Sequence, residues 1–544
     1  MIGNVIDLRT DRIERTLAPV NLRRIVESVR NKPNATLVLW CLPALFAGGL
    51  LRLWLMQGWG DGFYYGPDSQ GYWQAVFKLF HGQTFHISSK RPWLYPTIML
   101  LSNFGPKSPA FTAALLQHAA GLLAVLPLAA IMRRTILSWR WWIVPATVLF
   151  ACHPQLLYWE HVLIADSLFT ALTLVAVWCF CRFWEKGDAR SLGFALGAIF
   201  LTMATRPVGR ALWLGTIPLM LLLPKQPWKQ RLKHAGIAAV LYPIASLATH
   251  VSQGDPLMFA SVFPLIELDR PAYHEVKMEM APAVMKARGN YWLYVSNDQK
   301  ETWTSLQIGN AGNIGENYAA LANSRELGKA LSTMIREAIL HNPVRYAYMV
   351  FLKTYHLLAQ NTRCHRLEPN IYKFGSVKFL TQSLKKVDPQ FPGFLLRDTH
   401  AVNAESITTA VDDQLKDHAA QQRILQLLPK LVSATSLYKL PVGTESPPLP
   451  QNAWPLALFL IGITFGCLGE KGKRFFPVVM LGLCYLALTM VVGRAVERYR
   501  LPAEFLLLLG VVQGLAVICH LAGCCIAKMT TAKSASKKSA REEF

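Results

Sequence analysis

Apolar residues in this chain come in long, nearly unbroken runs separated by short clusters of arginine and lysine. A hydrocarbon core of about 30 Å takes about 20 residues of helix to cross. Runs near that length fall at approximately 36–56, 111–132, 141–159, 162–183, 191–206, 209–224, 235–252, 453–469, 475–493 and 501–527. The pattern predicts an all-α polytopic membrane protein with about ten transmembrane helices. The two shortest runs are parted only by Arg206-Pro207-Val208-Gly209-Arg210, where proline and glycine break the helix.

Two stretches outside the runs, 57–110 and 253–452, are too long to be simple connectors and are expected to carry function. The second has the composition of a mainly helical external subdomain, with Tyr291, Trp292, Tyr294 and Trp303 and a helical pattern from Asn323 to Leu340. Its run from Tyr346 to Ala359 is too short to cross and is interrupted by Lys353 and His356, which predicts a helix lying at the interface. Pro441 to Pro450 reads as a linker. The chain thus divides into a basic segment 1–35, a membrane core 36–252, the external subdomain 253–452, terminal membrane helices 453–527 and a basic tail 528–544.

The net charge of +23 is mostly orientation signal. Basic residues near helix ends collect on the cytoplasmic side. With ten crossings, one face receives Arg9, Arg12, Arg15, Arg23, Arg24, Arg30 and Lys32, then Arg133, Arg134, Lys186 and Arg190. Lys225, Lys229, Arg231, Lys233, Lys471, Lys473, Arg474 and the tail from Lys528 to Arg541 fall on the same face. Both termini are expected to be cytoplasmic. This dispersal argues against nucleic acid as partner, since no aromatic-interleaved basic groove forms. All but one of the ten cysteines lie inside the runs, Cys364 being the exception, so neither a disulfide framework nor a metal-ligand spacing is present. The first forty residues lack a compact apolar h-region, so the first run is expected to act as an uncleaved anchor.

Five arginines break the rule. Arg206 and Arg210 share one short loop, Arg494, Arg498 and Arg500 another, and both loops fall on the external face. Cations there imply an anionic partner. The first external loop adds carboxylates, Asp61 and Asp68, with the basic pair Lys90 and Arg91. Asp68 sits in Pro67-Asp68-Ser69, a turn or helix cap, followed by Tyr72, Trp73, Val76 and Phe77 at helical spacing. A capping role and a chemical role for Asp68 are compatible.

Several separated patches resemble the GT-C superfamily of membrane glycosyltransferases, in particular the bacterial branch related to protein mannosyltransferases and to aminoarabinose and arabinofuranosyl transferases. They are Asp68-Ser69 with Tyr72, Arg91-Pro92-Trp93-Leu94-Tyr95-Pro96, and His153-Pro154 ahead of Ala165-Asp166-Ser167-Leu168-Phe169. The last is Glu497-Arg498-Tyr499-Arg500-Leu501-Pro502. The resemblance covers the membrane domain and says little about 253–452.

It implies a GT-C-like bundle and a sugar donor carried on polyprenyl phosphate, transferred to a glycan, glycolipid or protein acceptor at the external face of a bacterial inner membrane. Such a displacement needs a base for the acceptor hydroxyl and cations for the leaving phosphate. Asp68 is the candidate base, with Asp61 in reserve. Arg498 and Arg500 lead for the phosphate, because guanidinium offers paired donors and stays charged. Arg206, Arg210, Arg494, Arg91 and Lys90 are further candidates. Asp166 is the second catalytic candidate, positioning the acceptor or orienting an arginine, or else a structural cap or salt-bridge residue. Glu160, His161, Tyr72, Tyr95 and Tyr499 are candidate substrate contacts. His153 is expected to pack, and Trp73, Trp93 and Tyr95 to meet a sugar or the headgroup boundary. No cofactor and no divalent metal are expected, since the first loop has no Asp-x-Asp pair. The competing readings are an O-antigen-ligase-like or polymerase-like transferase and a lipid-linked glycan transporter or flippase.

Overall fold

The computed structural model describes residues 33–59, 66–80, 91–105, 108–136, 139–249, 258–259, 261–289, 325–359, 453–467, 469–492 and 501–542. At some helical positions, Asp68 among them, the backbone alone is described. Among these residues the regular elements are all helices. The first loop holds α2 (Gly66–Phe80) and α3 (Leu94–Ser102), preceded by α1 (Pro33–Trp59). Next come α4 (Pro109–Leu123), α5 (Val125–Thr135), α6 (Trp139–Ala151), α7 (Pro154–His161), α8 (Asp166–Lys186) and α9 (Ala189–Thr205). A 3-10 turn, Pro207–Gly209, leads to α10 (Arg210–Leu221) and α11 (Trp228–Ala248). Then follow α12 (His274–Gly289), α13 (Arg325–His341) and α14 (Pro343–Ala359). The chain closes with α15 (Ala453–Gly466), α16 (Gly469–Val492) and α17 (Glu504–Glu542).

Among the described residues, five stretches are long and apolar enough to cross a membrane: Thr36–Gln57, Pro109–Thr135, Asp166–Lys186, Lys473–Val491 and Leu501–Ala527. Arg140–Ala151, Ala189–Thr205 and Ala457–Gly466 are shorter apolar helices. The packing is inverted relative to a water-soluble protein. On α1, Phe46 is 69% exposed and Leu53 58%, whereas Arg52 is 3% exposed. α11 likewise turns Val240, Ile244 and Leu247 outward. Surfaces of this kind belong in a lipid bilayer, where the polar groups must be satisfied inside the bundle.

One run is broken where sequence reading makes it continuous. The stretch 141–159 divides into α6 and α7 at Cys152-His153, because Pro154 offers no N–H to the helix before it and opens the next one instead. The following helix starts at Asp166, not at 162. The detour turns Glu160 and His161 toward α4. The helix expected over 323–340 is present as α13.

α8 works as a ruler for the two ends of the bundle. At its C-terminal end Glu185 pairs with Arg134 of α5 at 2.5 Å and Arg474 of α16 at 3.6 Å, and Gly187 accepts from or faces His234 of α11 at 3.1 Å. Gly187 holds φ 65° as the α8 C-cap, a left-handed conformation suited to glycine. At the N-terminal end Asp166 meets Arg206. α14 reaches that same N-terminal end, where Tyr346 Oη donates to Val491 O at 2.7 Å.

Backbones touch directly between α15 and α17. Both carry glycines four apart, Gly462 and Gly466 on one and Gly510 and Gly514 on the other. A Cβ on Gly462 would run into the Gly510 carbonyl, and one on Gly514 into that of Leu458. Small residues at this spacing let membrane helices approach closely.

Candidate functional site

The Asp166 end of the bundle holds a continuous buried polar system built from five helices. Ser108 caps α4 by accepting from Phe111 N–H at 3.0 Å, and Pro109 starts the helix, which sets Gln117 and His118 on the flank facing α7. Gln117 Nε2 donates to the carbonyls of Glu160 and Val162, both at 2.8 Å. It thereby ties down the backbone where α7 ends.

Glu160 lies at the centre and is 0% exposed. Arg52 of α1 donates to both its oxygens, Nη2 to Oε1 at 2.7 Å and Nε to Oε2 at 2.9 Å. The remaining Arg52 nitrogen donates to the carbonyls of Ala151 at 2.7 Å and Gly48 at 3.0 Å. His118 Nδ1 stands 2.7 Å from Oε2, and His118 Nε2 stands 3.2 Å from Nδ1 of His161. Gly121 makes room for the carboxylate, since a Cβ there would collide with Glu160 Oε1. Burying an unpaired carboxylate in such a place would be costly, and here each oxygen has a partner.

The same system reaches the first loop. Tyr95 of α3 is wholly buried and donates from Oη to Gln117 Oε1 at 2.8 Å. Burial, with the Tyr72 phenol nearby, pushes its hydroxyl well above the usual phenol range. Tyr72 of α2 meets the Tyr95 ring edge-on at 4.8 Å, and the Arg91 guanidinium lies over the Tyr72 ring at 4.9 Å. Trp73 is also wholly buried, and Trp93 packs against Phe200 of α9. Asp68 lies one helical turn before Tyr72, in the first turn of α2.

Asp166 and Arg206 form a second buried pair between the start of α8 and the end of α9. Arg206 is extended, at φ −147° and ψ 137°, as the residue before Pro207 tends to be. Its guanidinium also lies 5.9 Å from the Phe169 ring. Arg210 takes a different role: Nη2 donates to the carbonyls of Ser246 and Thr249, each at 3.2 Å, at the C-terminal end of α11. There it satisfies carbonyls the helix leaves open.

No protein-family model matches this chain, and no curated protein matches it.

Of the sequence candidates, Glu160, His161, Tyr95, Tyr72 and Arg91 thus join one chain of contacts, and Asp166 joins Arg206. Arg210 caps a neighbouring helix. Asp61, Lys90, Arg494, Arg498, Tyr499, Arg500 and the Asp68 side chain lie outside the described residues. Sequence reading overlooked Arg52, Gln117 and His118. The signal was there: a cation and a Gln-His pair inside otherwise apolar runs, where ionisable groups are costly and serve a purpose. Among the described residues no group of His, Cys, Asp and Glu is arranged to hold a metal ion.

Proposed function

We propose that this chain is an integral membrane glycosyltransferase that moves a sugar from a polyprenyl-phosphate donor to an acceptor at the external face, by single displacement with inversion. Ten crossings with both termini cytoplasmic put the Asp166 end of the bundle outside, in a bacterial inner membrane. Asp68 is the base, and Arg498 and Arg500 lead in holding the phosphate. The observation that carries the reading is the coupling of α2 to the membrane core. The helix that bears Asp68 is anchored through Tyr72 to both Arg91 and the Tyr95–Gln117–Glu160 system, which supports a carboxylate-bearing helix fixed beside a guanidinium at one end of the bundle.

The test is turnover of a defined polyprenyl-phosphate sugar by the purified protein. Asp68→Asn is expected to lower the rate about 100-fold or more while donor binding persists, as general-base loss does. Turnover at the wild-type rate removes Asp68 from that role.

A second reading gains from one observation. Chains of acidic and histidine residues inside the membrane are typical of proton-coupled transport, and Glu160, His118 and His161 make such a chain. A lipid-linked glycan transporter predicts movement of the lipid across proteoliposomes with no sugar transfer, and with Asp68→Asn still active.

A further inference from the structure

Helix α17 turns a second set of small residues away from α15. Gly510 and Gly514 are pressed against that helix, but a Cβ placed on Gly523 would meet no described atom within 4 Å. Around Gly523, the residues Ala516, Cys519, His520, Cys524 and Ala527 recur at helical spacing and form one wall of a cavity of about 470 Å³. Trp141 and Trp142, in the first turn of α6, form the other. The volume falls within the range of about 300–1,000 Å³ common for small-molecule sites. α6 opens at Trp139, shortly after α5 ends at Thr135, so the cavity lies at the Glu185–Arg134 end of the bundle, away from Asp166 and Arg206.

Its length and its charge point to one class of ligand. From Ala516 to Ala527 the helix rises about 16 Å, roughly half of a hydrocarbon core of about 30 Å. The cleft therefore runs the depth of one leaflet. Trp141, 83% exposed, stands where a ring that is apolar at one end and carries an N–H at the other settles, at the headgroup boundary. Among the described residues no carboxylate lines the cavity. Positive charge marks its mouth, with Arg140 directly before Trp141 and Lys528 directly after Ala527 in the sequence. Basic residues beside a membrane surface draw anionic headgroups. His520, whose Nε2 stands 3.9 Å from Cys524 Sγ, adds a polar group to the wall; either tautomer of its ring offers an N–H to an ester or phosphate oxygen.

We propose that the cleft between α6 and α17 is a binding site for one anionic phospholipid of that leaflet, with an acyl chain lying over Gly523 beside the two indoles and the phosphate at the Arg140 end. This goes beyond the transfer reading and holds whichever reaction the opposite end of the bundle performs.

The experiment is native mass spectrometry of the full chain released from nanodiscs made of equal parts phosphatidylglycerol and phosphatidylcholine. One phosphatidylglycerol is expected to stay bound. Gly523→Leu extends into open space, so it should keep the wild-type unfolding midpoint and lose the retained lipid. Arg140→Gln should weaken the preference for phosphatidylglycerol about fivefold, the effect of one basic residue at an anionic surface. A second measurement uses the wild type alone: maleimide alkylation of Cys524, read by peptide mass, should be slower in phosphatidylglycerol than in phosphatidylcholine. Equal retention of the two lipids, a phosphatidylglycerol kept by Gly523→Leu, or a Cys524 rate indifferent to headgroup charge would each overturn the proposal. So would a dimer that Gly523→Leu dissociates, since the cleft would then hold a second copy of the chain. None of these readouts needs a sugar donor, so they stand or fall apart from the transfer assay.

Discussion

Arg52 and Glu160 show how a single ion pair is held inside an apolar bundle and how much depends on its completeness. Removing one partner of a buried pair leaves an uncompensated charge and costs about 3–5 kcal/mol, whereas replacing both with apolar groups of similar size is often nearly neutral. Arg52→Met should therefore lower the thermal midpoint in nanodiscs sharply, and adding Glu160→Met should recover most of the loss; an additive double variant would show that the pair is not coupled. Lys353 of α14 presents a different case. It lies outside the candidate membrane-spanning helices, is wholly buried, and donates to Ser261 O and Oγ, both at 2.7 Å. Burial pulls its amine down to about 7 from 10.5. Between those values the unfolded chain carries a proton that the folded chain lacks, so stability rises with pH across that window and is flat below it. Denaturation midpoints measured from neutral to alkaline pH should climb in the wild type, and Lys353→Met should flatten that part of the curve.

Helices α15 and α17 depend on four glycines for their contact, and side chains there have nowhere to go. Overpacking a tight interface costs about 1–3 kcal/mol or more. Gly514→Leu is expected to part the two helices, read as loss of a disulfide engineered across them and as a lower unfolding midpoint; a retained cross-link would contradict the packing. The break between α6 and α7 matters more for the site. Its length is set by Pro154, and a helix continued through 152–153 would carry Glu160 and His161 onward along its own axis instead of turning them toward α4. α13 contrasts with the membrane helices: it buries Ala330, Leu331, Met334, Ile335 and Ala338 at helical spacing, the amphipathic pattern of a helix with one wet face.

Across the molecule, the two ends of α8 sort the charged contacts. Glu185, Arg134 and Arg474 meet at one, Asp166 and Arg206 at the other. With the charge-derived orientation, a cysteine placed at the exposed Lys229 should react with a membrane-impermeant thiol reagent only after permeabilisation, in a background stripped of native cysteine. One at the exposed Arg345 should react in intact cells. The opposite labelling would invert the bundle. Much of this plan was legible in the chain, because the bilayer makes helix length and apolar content a strong constraint. The helical class, the positions of the apolar runs, the α9–α10 turn at Pro207 and the interruption of 346–359 by Lys353 are local properties, and local residues determine them. The partners of the buried polar groups are not local. Glu160 and Arg52 are 108 residues apart, and His118 reaches Glu160 across 42. Their pairing depends on which faces of α1, α4 and α7 meet, and on the room that Gly121 leaves. An apolar run states that a helix enters the membrane, but hydrocarbon surrounds every helix alike, so only the folded bundle determines which polar side chains find one another.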